Sequence, residues 1–364
     1  MRVAVITTVR HNVGDDFVRE GILHLLERRF GRMSVELIHK HAPVTVRRGF
    51  ERVRRRRSST LLDSILPTMP AYDRILSADM LVQSGAPVYW CHDDNHCSQN
   101  EWFEPLVRRR YYRVRDRVPF LNLAAGSAQR YGSTGEEVRE CARDLEYIRE
   151  IHAAANVTTV RDPLAQNILR FAGQDAPVIP CASIFGRHRL RIEPKRPEYV
   201  ALNFMDNGGH YTLGQAIDSS KWLQTFREFY SWLSARERCV FVCHNEAEVR
   251  AARSVDSAAE VFISSRYQDY LEMYSRARLG IMNRVHGAFA LASFGRPSFV
   301  IGTDSRAEMS SQIGLRHAFV ATVTTAQLIS EFERLAASLS DYERQFEAIR
   351  GRAEAAYDQA LARI

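Results

Sequence analysis

The chain opens with a short, β-branched apolar run, Val3 to Thr8, that breaks at the polar turn His11 to Gly14. Such a run predicts a buried parallel strand. Phe17 to Phe30 then places Ile22, Leu23, Leu25 and Leu26 at helical spacing. The alternation continues, with strands predicted at Ser34 to Ile38, Met80 to Gln83, Phe120 to Ala125 and Val157 to Arg161, and a last one starting at Val178 and Ile179. Helices are predicted over Glu136 to Ala154 and Pro163 to Phe171. Gly186 to Pro197 is polar and basic and holds two prolines, the pattern of a linker.

A second series follows the linker. Strands are predicted at Tyr199 to Phe204, Cys239 to Cys243, Val261 to Ile263, Leu279 to Met282 and Pro297 to Ile301. Helices are predicted at Ser220 to Ala235, Glu246 to Arg253, Tyr267 to Ser275 and Val285 to Phe294, and the stretch from Ala326 to Ile364 is helical in pattern. Strands alternating with helices build a parallel sheet covered on both faces. The chain therefore reads as α/β, with two Rossmann-like domains, 1–190 and 191–345, facing a cleft, and a C-terminal helix over 346–364.

Composition supports a folded, globular chain: 45% of residues are hydrophobic and 26% charged. Met1 to Val9 is too short for a secretory signal, and no stretch has the length of apolar sequence a membrane span needs. These features point to the cytoplasm. The six cysteines are scattered and read as reduced thiols. The net charge of +7 is concentrated in two arginine blocks, one over Arg47 to Arg57 and one over Arg108 to Arg117. Each is either a solvated surface or a contact for an anionic partner, and the block at Arg47 to Arg57 suits the inner face of an anionic membrane. No nucleic-acid module accompanies them, so no nucleic-acid partner is expected.

Ligands of open parallel sheets gather beyond the carboxyl ends of the strands. Asn12-Val13-Gly14-Asp15-Asp16 follows the first strand; it is an anion-binding helix start, or a plain turn with Asp15 or Asp16 as cap. Ser84-Gly85 ends the third strand and leads to a stretch with Trp90, Cys91 and Cys97, whose spacing is not that of a usual zinc site, so no metal is assigned. Trp90, with Tyr89, Trp102 and Phe103, either stacks on a sugar or packs its own loop. Arg161 stands before Asp162-Pro163 at a helix start and binds an anionic group or pairs with Asp162. The sharpest signal is Asn283-Arg284-Val285-His286-Gly287, which aims a guanidinium and an imidazole at a positive helix terminus. His244 offers a further proton-transfer or positioning group, and Asp304-Ser305-Arg306 fits the same rim.

In their order and spacing these motifs resemble the polysaccharide pyruvyl transferase family. The resemblance rests on Asn12-Val13-Gly14-Asp15, on Arg161-Asp162 with Gly173, and on Arg284-Val285-His286-Gly287 followed by Gly295-Arg296-Pro297. It spans roughly Met1 to Leu315. The chain departs from it where the family has Gly-Gly-Gly, here Gln83-Ser84-Gly85-Ala86, and where the family has Asp-Pro, here Pro180-Cys181-Ala182.

The resemblance implies a glycosyltransferase B-like fold. It also implies transfer of the pyruvyl group of phosphoenolpyruvate to a sugar or glycan acceptor, lipid-linked or free, as a ketal with release of phosphate. No cofactor is needed beyond phosphoenolpyruvate as the donor substrate. His286 would then act as the acid, Asp15 or His244 as the base, and Arg284 and Arg161 would hold the donor, with Asn12, Gly14, Ser84, Gly85, Asn283 and Trp90 lining the site. Two other readings stay open: a nucleotide-sugar-dependent, sialyltransferase-like glycosyltransferase, and a non-catalytic glycan-binding relative.

Overall fold

In the computed structural model the described residues are 1–9, 12–40, 75, 77–90, 118–362 and 364. The arginine blocks, the Cys91 to Cys97 segment, and Trp102 and Phe103 lie outside them, as does the side chain of Trp90.

Two six-stranded sheets, each paired in parallel throughout, carry the fold. The first contains β1 (Arg2–Thr7), β2 (Ser34–His39), β3 (Met80–Ser84), β4 (Pro87–Trp90), β5 (Phe120–Ala128) and β6 (Val157–Val160). Its order is β2-β1-β3-β5-β4, with β6 also paired to β5. The alternation of β1 explains its unbroken apolar run. Val3 and Val5 enter one core and Ala4 and Ile6 another, one on each face of the sheet.

The second sheet contains β7 (Tyr199–Asn203), β8 (Cys239–Val242), β9 (Val261–Phe262), β10 (Ala277–Met282), β11 (Ser298–Gly302) and β12 (His317–Phe319). Its order, β12-β11-β10-β7-β8-β9, is the doubly wound 3-2-1-4-5-6 pattern read from β9. In such a sheet the ligand crevice opens where the winding reverses, here between the ends of β7 and β10. The same reversal falls between β1 and β3 in the first sheet.

Helices α1 (Val13–Phe30), α2 (Ala142–Ala154) and α3 (Pro163–Phe171) pack on the first sheet. Helices α4 (Ser219–Ser234), α5 (Glu246–Val255), α6 (Tyr267–Arg276), α7 (Val285–Ser293) and α8 (Thr325–Ala337) belong with the second. The last helix, α9 (Leu339–Leu361), starts before the expected position 346 and packs back against α1 and β6 of the first half. No described helix is long and apolar enough to cross a membrane.

Several expected boundaries move. Helix α1 begins at Val13, so Gly14 and Asp15 sit in its first turn instead of a loop before it. Strand β5 runs on through Gly126 and Ser127 to Ala128, past a register shift between Asn122 and Ala125 where Ala124 takes φ 53°. The helix expected from Glu136 breaks at Cys141, and the strand expected at Val178 is reduced to a single bridge with Val160. β4 and β12 were not expected. The extra length of β5 matters for the site. It carries Gln129 and Arg130 across to the loop after β11, where Ser305 N–H donates to Gln129 O at 3.0 Å and Gln129 N–H donates to Ser305 Oγ at 3.0 Å.

Candidate active site

Several helix starts meet at the cleft between the sheets, some closed by a side-chain cap and one left open. Asn12 caps α1, its Oδ1 accepting the Gly14 N–H at 3.0 Å, so the cap is neither Asp15 nor Asp16. Asp16 is instead buried against Arg19, while Asp15 faces the cleft 3.7 Å from Lys40 Nζ. Asp162 caps α3, accepting the Ala165 N–H at 2.7 Å. Helix α7 starts at Arg284 with no side chain over its first N–H groups, which leaves a positive terminus open in the cleft.

Arg161 follows the last residue of β6 and makes no ion pair with Asp162. Its Nη1 lies 3.2 Å from His286 Nε2, which brings two residues 125 positions apart into one contact. The side chain is only 5% exposed, yet it has no carboxylate at ion-pair distance among the described residues, and its Nε has no hydrogen-bond partner. A buried guanidinium in that state is costly unless a ligand completes it.

Two glycines make the arrangement possible. A Cβ at Gly126 would stand 2.4 Å from Arg161 Nε, and one at Gly14 would stand 2.7 Å from His286 Nδ1. Gly126→Ala should therefore push the guanidinium out of place with little harm to the fold. The expected result is about 10²-fold lower turnover with a nearly unchanged melting temperature. Unaltered turnover in that variant would mean that Arg161 is not held in a working position.

The tautomer of His286 follows from its neighbour. Arginine only donates, so Nε2 must be the bare nitrogen and Nδ1 carries the hydrogen, facing the first turn of α1. Burial, then the charges of Arg161, Arg306 and Arg284, hold its pKa well below the usual histidine range. In the free protein His286 is therefore a neutral proton acceptor.

Arg284 is not free. Its Nε donates to Glu248 Oε1 at 2.8 Å, its Nη2 donates to the same oxygen, and its Nη1 meets His210 Nε2. Asn283 lines the cleft, but its amide is spent on the backbone: Oδ1 accepts from Met205 N–H and Nδ2 donates to Ile301 O, each at 2.8 Å. It ties together the ends of β7, β10 and β11, using one N–H and one lone pair of its side-chain amide. His244 reaches Tyr274 Oη with Nε2 at 3.1 Å and packs edge-on against Phe17 and Tyr270. Burial pushes its pKa down to about 4, so it is neutral, and its first role is packing.

Of the residues expected at a site, Asn12, Gly14, Asp15, Gly85, Arg161, His244, Asn283, Arg284 and His286 all line one cleft of about 340 Å³. Ser84 does not: it is buried in β3 with its Oγ unpartnered. Arg306 does reach the cleft, gripped by Asp304 through Nε at 2.8 Å and Nη2 at 2.5 Å. The sequence reading missed His39 and Lys40 at the end of β2 and the segment Gly208, Gly209, His210 and Tyr211 after β7. The paired glycines beyond a strand end were the available signal for that segment.

No family model matches the chain, and no curated protein matches it. Solved structures do. The UDP-GlcNAc 2-epimerase from Neisseria meningitidis, bound to UDP-GlcNAc, aligns with a TM-score of 0.52 and 11% identity over 100% of both chains. A putative UDP-N-acetylglucosamine 2-epimerase from Listeria monocytogenes aligns at 0.53 and 11%, covering 95% of this chain and 90% of that one. The UDP-GlcNAc 2-epimerase from Methanocaldococcus jannaschii aligns at 0.52 and 10%, covering 92% and 93%. At such identities the likeness defines the fold: a glycosyltransferase B-like pair of parallel α/β sheets.

Proposed function

We propose that this chain is a transferase that moves the pyruvyl group of phosphoenolpyruvate onto two hydroxyls of a sugar or glycan acceptor. The observation that carries the reading is the contact of Arg161 with His286, seated against Gly14. Three motifs whose order and spacing together resemble the pyruvyl transferases meet there, around a buried guanidinium that lacks an acidic partner among the described residues. A carboxylate and a phosphate on one small donor suit such a guanidinium, the open start of α7 and the directed N–H of Arg284.

The chemistry balances with the residues present. One acceptor oxygen adds to C2 of the enol while a proton adds to C3, forming the methyl group. Phosphate then leaves C2, and a second hydroxyl oxygen closes the ketal, its proton leaving with the phosphate. Asp15, whose carboxylate faces the cleft, takes the first hydroxyl proton, while Nε2 of His244 is engaged with Tyr274 Oη. His286 becomes the acid once the donor's negative charges raise its pKa.

A second reading rests on a specific likeness. The Neisseria epimerase of the same fold binds UDP-GlcNAc, and the glycine pair at 208–209 could receive a nucleotide phosphate in a nucleotide-sugar glycosyltransferase. Thermal denaturation with phosphoenolpyruvate, UDP, CMP and inorganic phosphate separates the two. A ligand held at 100 times its Kd stabilises the native state by about 2.7 kcal/mol. We expect that shift with phosphoenolpyruvate; a shift with UDP or CMP alone would replace this reading with the second.

A further inference from the structure

Five N–H groups from four residues converge on the carboxylate of Glu248, which is 2% exposed. Asn203 Nδ2 donates at 2.7 Å and the His244 backbone N–H at 2.9 Å to one oxygen; Asn245 Nδ2 at 3.0 Å and Arg284 Nε at 2.8 Å go to the other, joined by Arg284 Nη2. Glu248 is the third residue of α5, and its own N–H is given to the cap Asn245 at 2.9 Å. A helix cap accounts for the bonds to His244 and Asn245. It does not account for Asn203 at the end of β7 or for Arg284 at the end of β10, the two strands that flank the crevice of the second sheet.

Charge gives those bonds a meaning. Burial alone would raise the Glu248 carboxyl, but Arg284 and its other donors hold it below its ordinary value, so it is ionised. Of the three described arginines that line the cleft, Arg284 is thus cancelled by Glu248 and Arg306 by Asp304, while Arg161 has no carboxylate at ion-pair distance among the described residues.

We infer that Glu248 is a positioning residue that fixes the guanidinium of Arg284 and cancels its charge, so that Arg161 alone anchors the dianionic end of the substrate. Arg284 then serves as a directed donor through Nη1, the nitrogen that lies against His210. An excess of uncancelled charge would retain the product phosphate; the cancelled pair keeps direction and gives up grip. The inference rests on the cleft being the site of an anionic substrate, and it makes Glu248 a determinant of how tightly that anion is held.

The test is anion binding by calorimetry to wild type, Glu248→Gln and the double variant Glu248→Gln/Arg284→Gln, with inorganic phosphate, phosphoenolpyruvate and UDP as separate probes. Glutamine keeps the size and an acceptor oxygen but exposes the Arg284 charge. Phosphate should bind Glu248→Gln about five-fold tighter, the scale of one unmasked charge in a partly wetted cleft, while turnover of phosphoenolpyruvate falls. The double variant should return phosphate affinity to near the wild-type value. A merely structural Glu248 predicts the opposite sign, weaker binding with lower turnover, and equal or weaker binding in the single variant overturns the inference. Should UDP alone bind, and bind tighter to Glu248→Gln, the inference stands and the pyruvyl reading falls. If none of the three binds wild type, the cleft is no anion site and both fall.

Discussion

Arg161→Met is expected to abolish stabilisation by phosphoenolpyruvate and to lower kcat/KM by about 10²- to 10³-fold, while the free protein melts at or above the wild-type temperature. The two halves of this result have one cause. Arg161 is buried with its Nε unpartnered, so the free protein carries the desolvation cost of a charge that has no carboxylate at ion-pair distance among the described residues. Methionine fills much of the same volume without that cost. The ligand, by contrast, loses the cleft guanidinium that has no carboxylate at ion-pair distance among the described residues. Melting curves of both proteins with and without phosphoenolpyruvate decide the matter. A fall in the melting temperature of the free variant would mark Arg161 as a structural residue, and a retained ligand shift would place the anion elsewhere.

How much of this was legible before the structure depends on the kind of contact. The alternation of strands and helices, the linker and the motif at Asn283 to Gly287 are local signals, written in hydrophobic period and in residue order. The cleft residues Asn12, Gly14, Arg161, Arg284 and His286 could be picked out because strand ends in parallel sheets collect ligands, and position along the chain already marks a strand end. What these residues do to each other was not legible. Glu248 reads in sequence as an ordinary third residue of a capped helix; only the 3-2-1-4-5-6 winding brings it against Arg284, 36 residues away. Asn283 reads as a ligand-facing amide, and only the closeness of Met205 and Ile301 shows that it also ties strand ends together.

The same distinction explains the errors at Asp15 and β5. Asn12 and Asp15 are both acceptable caps by residue type, and the choice is made by backbone geometry, with Asn12 extended at φ −144°. Gly126-Ser127 looked like the turn that ends a strand. In the structure the strand continues because these residues pair with β4, and Gly126 clears space for Arg161, long-range demands that leave no trace in local pattern.

The second large effect is expected at His286. His286→Asn should lower turnover by about 10³-fold and remove a pH dependence from donor binding. The sign follows from linkage. In the free protein burial and the charges of Arg161, Arg306 and Arg284 keep the imidazole pKa well below 6.5. A bound carboxylate and phosphate offset those positive charges and raise it. Between the lower free value and the higher bound value, binding takes up a proton, so affinity through His286 must rise as pH falls across that window. Protonation of the donor's own phosphate at low pH works in the other direction, and the His286→Asn variant isolates it, since asparagine does not titrate. The measurement is calorimetric affinity for phosphoenolpyruvate from pH 5 to 8 in both proteins. Wild type should gain affinity relative to the variant toward the acid end. Parallel profiles would mean that the imidazole keeps one protonation state throughout, and the step in which His286 becomes the acid would then have to be reassigned to another group.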